Sequence, residues 1–328
     1  MIGLDEVRRG YDALRDRVGA HRLAVDAVSV TGPQATEYLQ GQLSQDIDPL
    51  GVGQSAPALL LEPDGKLCAL VRATRTAADG WVLDTDAPFG AAVAERLRRF
   101  KLRMKVDIDA LDWSAVALRG AAGSAVLPSD VAGAPNTEGA WVLPVELNGT
   151  HGVDILGPRP DALVPTGVEW VTDAAWDALR VEAGIPKMGS ELDARTIAAE
   201  AGLVERTVSF TKGCYTGQEL VARLDARGSR VARRLCGLVA GTLAPEDAPR
   251  LSGATLWAPE GEKSVGRVTS AAWCPGLGAV GALAYLHRSV GIPGDVEWSA
   301  PDVPGAREGE SGSTRSPARA LEVPLVGG

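Results

Sequence analysis

Thr211-Lys212-Gly213-Cys214-Tyr215-Thr216-Gly217-Gln218-Glu219-Leu220 gathers a thiol, an ammonium, an amide and a carboxylate around two glycines. Gly213 and Gly217 allow a tight turn or a close backbone approach, so the stretch reads as a turn presenting Cys214, followed by a helix from Gln218 to Arg223. A thiol two residues from Lys212 is biased toward thiolate, the nucleophilic and metal-binding form. The plainer reading makes Cys214 a small hydrophobe filling a gap between strand and helix.

Upstream, residues 173–183 carry Trp176, Leu179 and Ala183 as an apolar helical stripe, and Gly184 and Pro186 end it. Glu182 falls about 60° from Leu179 around that helix. A carboxylate in the last turn opposes the helix dipole, and a residue that breaks a local rule marks a place to look for function. The alternative is a surface glutamate paired with Arg180.

Going outward, residues 5–18 place Val7, Tyr11, Leu14 and Val18 on one stripe, a helix docking on the body. Residues 22–30 read as a strand, and 35–41 as a short helix. Strands broken at Pro63-Asp64-Gly65 and Ala78-Asp79-Gly80 follow. Asp86 is the expected cap of a helix bearing Phe89, Val93, Leu97 and Phe100. A strand comes next, with Leu102, Met104, Val106 and Ile108 inward. A second cycle of strands runs from Trp113 to Leu156. Helices interleaved with antiparallel strands define an α+β class, with sheets covered by helices. Past the basic connector Arg223 to Arg234, short runs separated by Gly and Pro predict a small antiparallel barrel. The expected organisation is an N-terminal helix over 1–20, an α+β region over 21–228 divided near 110, a barrel over 229–300, and a disordered tail over 301–328.

The net charge of −9 argues against generic nucleic-acid binding. Arg96, Arg98, Arg99, Lys101, Arg103 and Lys105 form the densest basic run; a solvated edge is the leading reading and an RNA contact the minority one. Cys68, Cys214, Cys236 and Cys274 form no Cys-x-x-Cys pair, so neither a zinc site nor a complete cluster site is signalled. The three histidines lie away from any Gly-x-Ser-x-Gly elbow, and neither a Walker loop nor a dinucleotide fingerprint occurs. With no apolar run of spanning length and no signal-peptide pattern, the expected location is cytoplasmic, with no membrane partner.

The block Lys212 to Glu219 resembles the signature of the YgfZ family, folate-binding relatives of the glycine-cleavage aminomethyltransferase GcvT that assist iron–sulfur enzyme maturation. Trp176 to Pro186, Glu191 to Ile197 and Leu39 to Ile47 are similar to further blocks in the same order. The resemblance implies a GcvT/YgfZ-like three-domain arrangement with a C-terminal barrel and a tetrahydrofolate site in which Glu182 accepts the pterin. Arg180, Gln218, Glu219, Arg233 and Arg234 are further cofactor-binding candidates, with Arg233 or Arg234 meeting the glutamyl tail. It implies iron–sulfur client enzymes or assembly proteins as partners, a transient iron–sulfur cluster, and a link to tRNA modification. Cys214 and Lys212 are the candidates for chemistry. The chain departs from GcvT near Ala92, where that enzyme's aspartate is expected. This turns the expectation from aminomethyl transfer or demethylation toward a thiol-dependent maturation factor.

Overall fold

The computed structural model describes residues 3–121, 139–228, 230–300 and 315–325. The chain runs through helix α1 (Leu4–Asp16), strands β1 (Gly19–Leu23) and β2 (Val25–Thr31), helix α2 (Ala35–Gln42), and strands β3 (Ser55–Leu61), β4 (Leu67–Ala77) and β5 (Gly80–Asp86). Helix α3 (Gly90–Phe100) leads to strands β6 (Asp107–Leu111), β7 (Ser114–Arg119), β8 (Trp141–Leu147), β9 (Thr150–Gly157) and β10 (Glu169–Trp170). Helices α4 (Asp173–Ala183), α5 (Val204–Thr207) and α6 (Gln218–Asp225) precede strand β11 (Arg233–Ala240), helix α7 (Ala248–Leu251) and strands β12 (Thr255–Trp257), β13 (Ser264–Cys274), β14 (Ala279–His287), β15 (Gly294–Ser299) and β16 (Ser316–Leu321).

The strands form two five-stranded sheets, ordered β3-β4-β5-β2-β6 and β10-β1-β7-β9-β8, and a closed barrel β11-β14-β13-β12-β15-β16. Among the described residues, the named strands pair antiparallel except β1 with β10. This is the expected α+β arrangement with a C-terminal barrel. The main core buries Leu39, Leu59, Leu60, Leu61 and Trp81 of the first sheet and its helices together with Leu235, Cys274 and Leu283 of the barrel, so barrel and first sheet share one apolar interior. Burying each such large side chain contributes about 1.5–3 kcal/mol. The two sheets are joined by a charge network. Arg72 donates to both oxygens of Asp84 (3.0 and 2.8 Å) and to Asp154 (2.6 Å), and Arg119 donates to Asp154 at 2.7 Å.

Four local expectations are corrected. The strand expected over 22–30 breaks at Ala24: β1 pairs with β7 in one sheet and β2 with β5 in the other, a switch that unbroken alternation cannot reveal. The strand expected from Leu102 begins at Asp107. The intervening residues turn, Leu102 has φ +48° and is 88% exposed, and only Val106 and Ile108 of the four apolar positions are buried. Asp86 does not cap α3, because its carboxylate accepts Met188 N–H, and Asp26 accepts the Gly90 amide instead. The fourth concerns the tail. Of residues 301–328, those at 301–314 and 326–328 lie outside the described residues, but β16 closes the barrel between β11 and β15. Its inward residues are Ala318 and Ala320, which are small enough to look like linker composition yet are buried by the barrel wall.

Candidate functional site

The signature is a turn between α5 and α6, stitched to the last turn of α2 and the chain that follows it. Ser209 N–H donates to the Ser44 carbonyl (3.0 Å) and Thr216 N–H to that of Gly41 (3.1 Å), while the Gln218 side chain accepts Tyr215 N–H at 3.1 Å. Lys212 ties the turn down most firmly. Its Nζ donates to the carbonyls of Gln40 (2.7 Å), Leu43 (2.9 Å) and Gln45 (2.8 Å), and burial pushes its pKa down to about 8. With its donors on these carbonyls, Lys212 positions the turn that carries Cys214. Gly217 is the glycine the turn requires. It has φ +83° as the residue before α6, and a Cβ there would run into the Glu62 carbonyl and the Leu61 side chain. Gly213 has open space around it and needs no such explanation.

Cys214 emerges from this turn exposed. It lies at a cleft of about 580 Å³, also lined by Thr36, Glu37, Gln40, Asp48 and Arg75. The Arg75 guanidinium is held by the carbonyls of Leu50, Ala77 and Ala78. The other cysteines are set apart by burial: it raises Cys68 to about 11 and Cys236 to about 12, and Cys274 is raised as well. Among the described residues no group of three or more His, Cys, Asp or Glu is arranged to hold a metal ion, so Cys214 offers a single thiolate ligand or nucleophile.

Glu182 is elsewhere and is 1% exposed. Its Oε2 accepts the Tyr11 hydroxyl of α1, and its Oε1 accepts Gly276 N–H from the β13–β14 turn at 3.0 Å. Burial pushes its carboxyl above the ordinary range, opposed by these hydrogen bonds and by one from the Leu277 amide. The alternative of a surface glutamate paired with Arg180 is overturned, for Arg180 donates to Glu191 (3.0 Å), Asp177 (3.2 Å) and the Ile185 carbonyl. Glu191 also accepts from Thr269 and Ser270 of the barrel, which makes Arg180 part of a strut between α4 and β13.

The remaining candidates are dispersed. Arg233 pairs with Glu200 (2.9 Å) and lies over the Tyr285 ring, Arg234 stands 3.6 Å from Glu322, Gln218 closes the Cys214 turn, and Glu219 is exposed on α6. None of them bonds to Glu182, and Glu182 does not line the Cys214 cleft. Much of the basic run is consumed internally. Arg96 donates to the Leu61 carbonyl and Gln42, Arg98 to the Ile108 carbonyl, and Arg99 to Glu62. Ala92 is exposed on α3 and brings no carboxylate. Sequence reading missed Tyr11 as more than packing and missed Gly276 altogether. The Pro275-Gly276-Leu277-Gly278 turn was the available signal.

Residues 233–325 match the family model of the glycine cleavage T-protein C-terminal barrel domain. A crystal structure of the glycine cleavage system aminomethyltransferase T from Bartonella henselae superposes with a TM-score of 0.80 at 23% identity, covering 98% of this chain and 89% of that one. The chain has a GcvT-like fold with a C-terminal barrel. An aminomethyltransferase of Streptomyces coelicolor is 28% identical over 92% of this chain and 86% of its own length. The tRNA-modifying protein YgfZ of Colwellia psychrerythraea is 24% identical over 64% of this chain and 68% of its own length. Where the match covers 62–64% of this chain, it spans 66–68% of the relative. Both kinds of GcvT-like relative thus stand at comparable identity. No helix among the described residues is long and apolar enough to cross a membrane.

Proposed function

We propose that this GcvT-like chain is a thiol-dependent accessory factor of the YgfZ kind that supports assembly or repair of iron–sulfur enzymes in the cytoplasm, with Cys214 as the working group. The observation that carries this reading is the presentation of Cys214: exposed, on a turn held by Lys212, at the edge of an open cleft. A deprotonated Cys214 can ligate a client's iron, and that needs the access that the buried Cys236 and Cys274 lack. Lys212 and Gln218 fix the turn so that the sulfur faces the client.

The exposed Ala92 weighs against the aminomethyltransferase reading, since it offers no acid or base on α3. The tetrahydrofolate implied by the resemblance finds in Glu182 a suitable group, an acceptor-only carboxylate. It does not fit the arrangement observed, because both oxygens are already taken by Tyr11 and Gly276 and the residue is buried. No step of the reading passes through folate.

The test is complementation. In cells lacking their own YgfZ-type protein, this chain should restore the activity of four-iron four-sulfur enzymes and Cys214→Ser should not. Full rescue by the serine variant removes the thiol from the function.

A further inference from the structure

Among the described residues five large apolar side chains are exposed: Leu4, Val52, Leu102, Trp170 and Phe210. Three of them stand on segments tied to the Cys214 cleft. Phe210 is four residues before Cys214 in the same turn. Val52 is on the loop whose Leu50 carbonyl accepts the Arg75 guanidinium at 2.8 Å and whose Gly53 N–H donates to the Arg75 carbonyl, and Arg75 lines the cleft. Leu102 sits in the turn after α3, where the Lys105 N–H donates to Gln34 Oε1 at 2.9 Å, next to Pro33 of the cleft wall. Single apolar residues scattered over a surface are ordinary, but these three surround the one exposed thiol. The cleft wall between them carries mostly one sign of charge. Glu37, Asp48 and Asp79 face the single guanidinium of Arg75, whose donors are on the carbonyls of Leu50, Ala77 and Ala78. All three acids are exposed and none forms an ion pair among the described residues; the Glu37 carboxylate accepts only the Gln34 amide, at 3.2 Å.

We infer that the Cys214 cleft and its rim form a docking surface for an extended segment of a partner protein, with a lysine or arginine that enters the cleft and apolar side chains that cover Phe210, Val52 and Leu102. The apolar residues decide the size of the partner, because they lie outside the cleft lining. A small molecule seated in about 580 Å³ would leave them in water, whereas a chain crossing the cleft removes them from it. The charge decides its sign. An RNA or an anionic lipid surface would set phosphates against three carboxylates, while a cationic side chain meets those carboxylates through charge-assisted hydrogen bonds. The apolar anchors supply the hold, and the charges set register and rate of encounter. The inference rests on the thiol reading of Cys214 only in making that partner an iron–sulfur client; the docking chemistry is independent of it.

The test follows the fluorescence anisotropy of a labelled peptide, Ser-Gly-Leu-Ser-Lys-Ser-Leu-Gly-Ser, titrated with the full chain. In an extended peptide its two leucines and its lysine share one face. Control peptides carry glutamate for the lysine or serine for both leucines. The lysine peptide should bind, and either control, or the Phe210→Ser or Asp48→Asn/Asp79→Asn variant of the chain, should weaken binding about tenfold. Bound peptide should slow alkylation of Cys214, and Cys214→Ser should bind it as the wild type does. The substituted side chains are exposed, so an unchanged thermal midpoint certifies each variant. Equal binding of the glutamate peptide, wild-type binding by the rim and wall variants, or no binding of the lysine peptide overturns the inference. A dimer in sedimentation that Phe210→Ser dissociates overturns it too, since the occupant is then a second copy of the chain. Complementation keeps the two readings apart. Full rescue by Phe210→Ser and by Asp48→Asn/Asp79→Asn, with failure of Cys214→Ser, removes the docking surface and leaves the thiol. Peptide binding as expected, with full rescue by Cys214→Ser, removes the thiol and leaves the docking surface.

Discussion

Cys214 and Glu182 stand on opposite sides of one physical distinction. Cys214 is exposed on a turn held by Lys212 and Gln218, with its sulfur beside an open cleft. Glu182 is a carboxyl buried from solvent, one oxygen accepting the Tyr11 hydroxyl and the other the Gly276 amide. In the first region the protein spends its hydrogen bonds on the scaffold and leaves the reactive atom free. In the second it spends them on the functional group itself and closes over it. A buried carboxylate is tolerable only when donors surround it, so Glu182 in this state is a structural hub, whereas Cys214 contributes little to stability. Substitutions should therefore have opposite signatures: large stability losses around Glu182, and lost function with stability kept around Cys214.

The largest expected effect comes from removing residues 315–328. Leu325 N–H donates to the Glu182 carbonyl at 2.7 Å, Leu325 packs where Gly237 has no side chain, Val323 sits against Gly184, and β16 closes the barrel. Truncation after residue 314 should lower the thermal midpoint by on the order of 10 °C in calorimetry. An unchanged midpoint would show that the barrel tolerates opening and that the Glu182 junction does not depend on it. Next is Gly276→Val, which forces a branched side chain between Tyr11 and Glu182. It should cost about 3 kcal/mol in urea unfolding, and a neutral result would mean the junction is looser than its distances imply.

The difference between the regions also explains what the sequence revealed. The class, the two cycles of strands, the barrel and the prominence of Cys214 follow from local patterns: alternation, turn residues and a cluster of reactive types between glycines. Glu182 stood out because it breaks the helix-dipole rule. What the sequence hides are partners separated by long stretches of chain. Tyr11 lies 171 residues from Glu182, and Lys212 finds its carbonyls 167 to 172 residues upstream, where nothing local signals the pairing. Arg180 looked like the natural partner of Glu182 from two residues away, yet its guanidinium turns to Glu191. For the same reason β16, whose inward residues are alanines, carried too little apolar signal to separate a barrel strand from a tail.

Lys212→Met sharpens the comparison from the other side. It leaves three carbonyls without their shared donor and should cost about 1–3 kcal/mol, less than the changes at the Glu182 junction. The pH dependence identifies the cause. Burial lowers Lys212 to about 8 in the folded chain, while the unfolded lysine titrates near its ordinary value of about 10.4. Between those values the unfolded chain binds the extra proton, so the wild type gains stability as pH rises through this window. Lys212→Met should lack that gain. Parallel stability–pH curves for the two proteins would show that Lys212 is solvated and not the clamp.

The smallest effect on stability belongs to Cys214, and it decides whether the open region is a working site. Cys214→Ser changes an exposed atom that makes no packing contact with the core, so the unfolding free energy should stay within about 0.5 kcal/mol of wild type. The same exposure makes the thiol the most reactive of the four. Cys236 and Cys274 are buried, and burial keeps their thiols and that of Cys68 protonated to high pH, whereas alkylation requires an accessible thiolate. Iodoacetamide at neutral pH, with the adduct located by mass spectrometry, should therefore modify Cys214 before the other three. Labelling of Cys68 first would move the reactive site to α3 and the first sheet, away from the cleft. If Cys214 is labelled first but its serine variant loses several kcal/mol, the turn needs the sulfur for its own structure, and the contrast with Glu182 collapses.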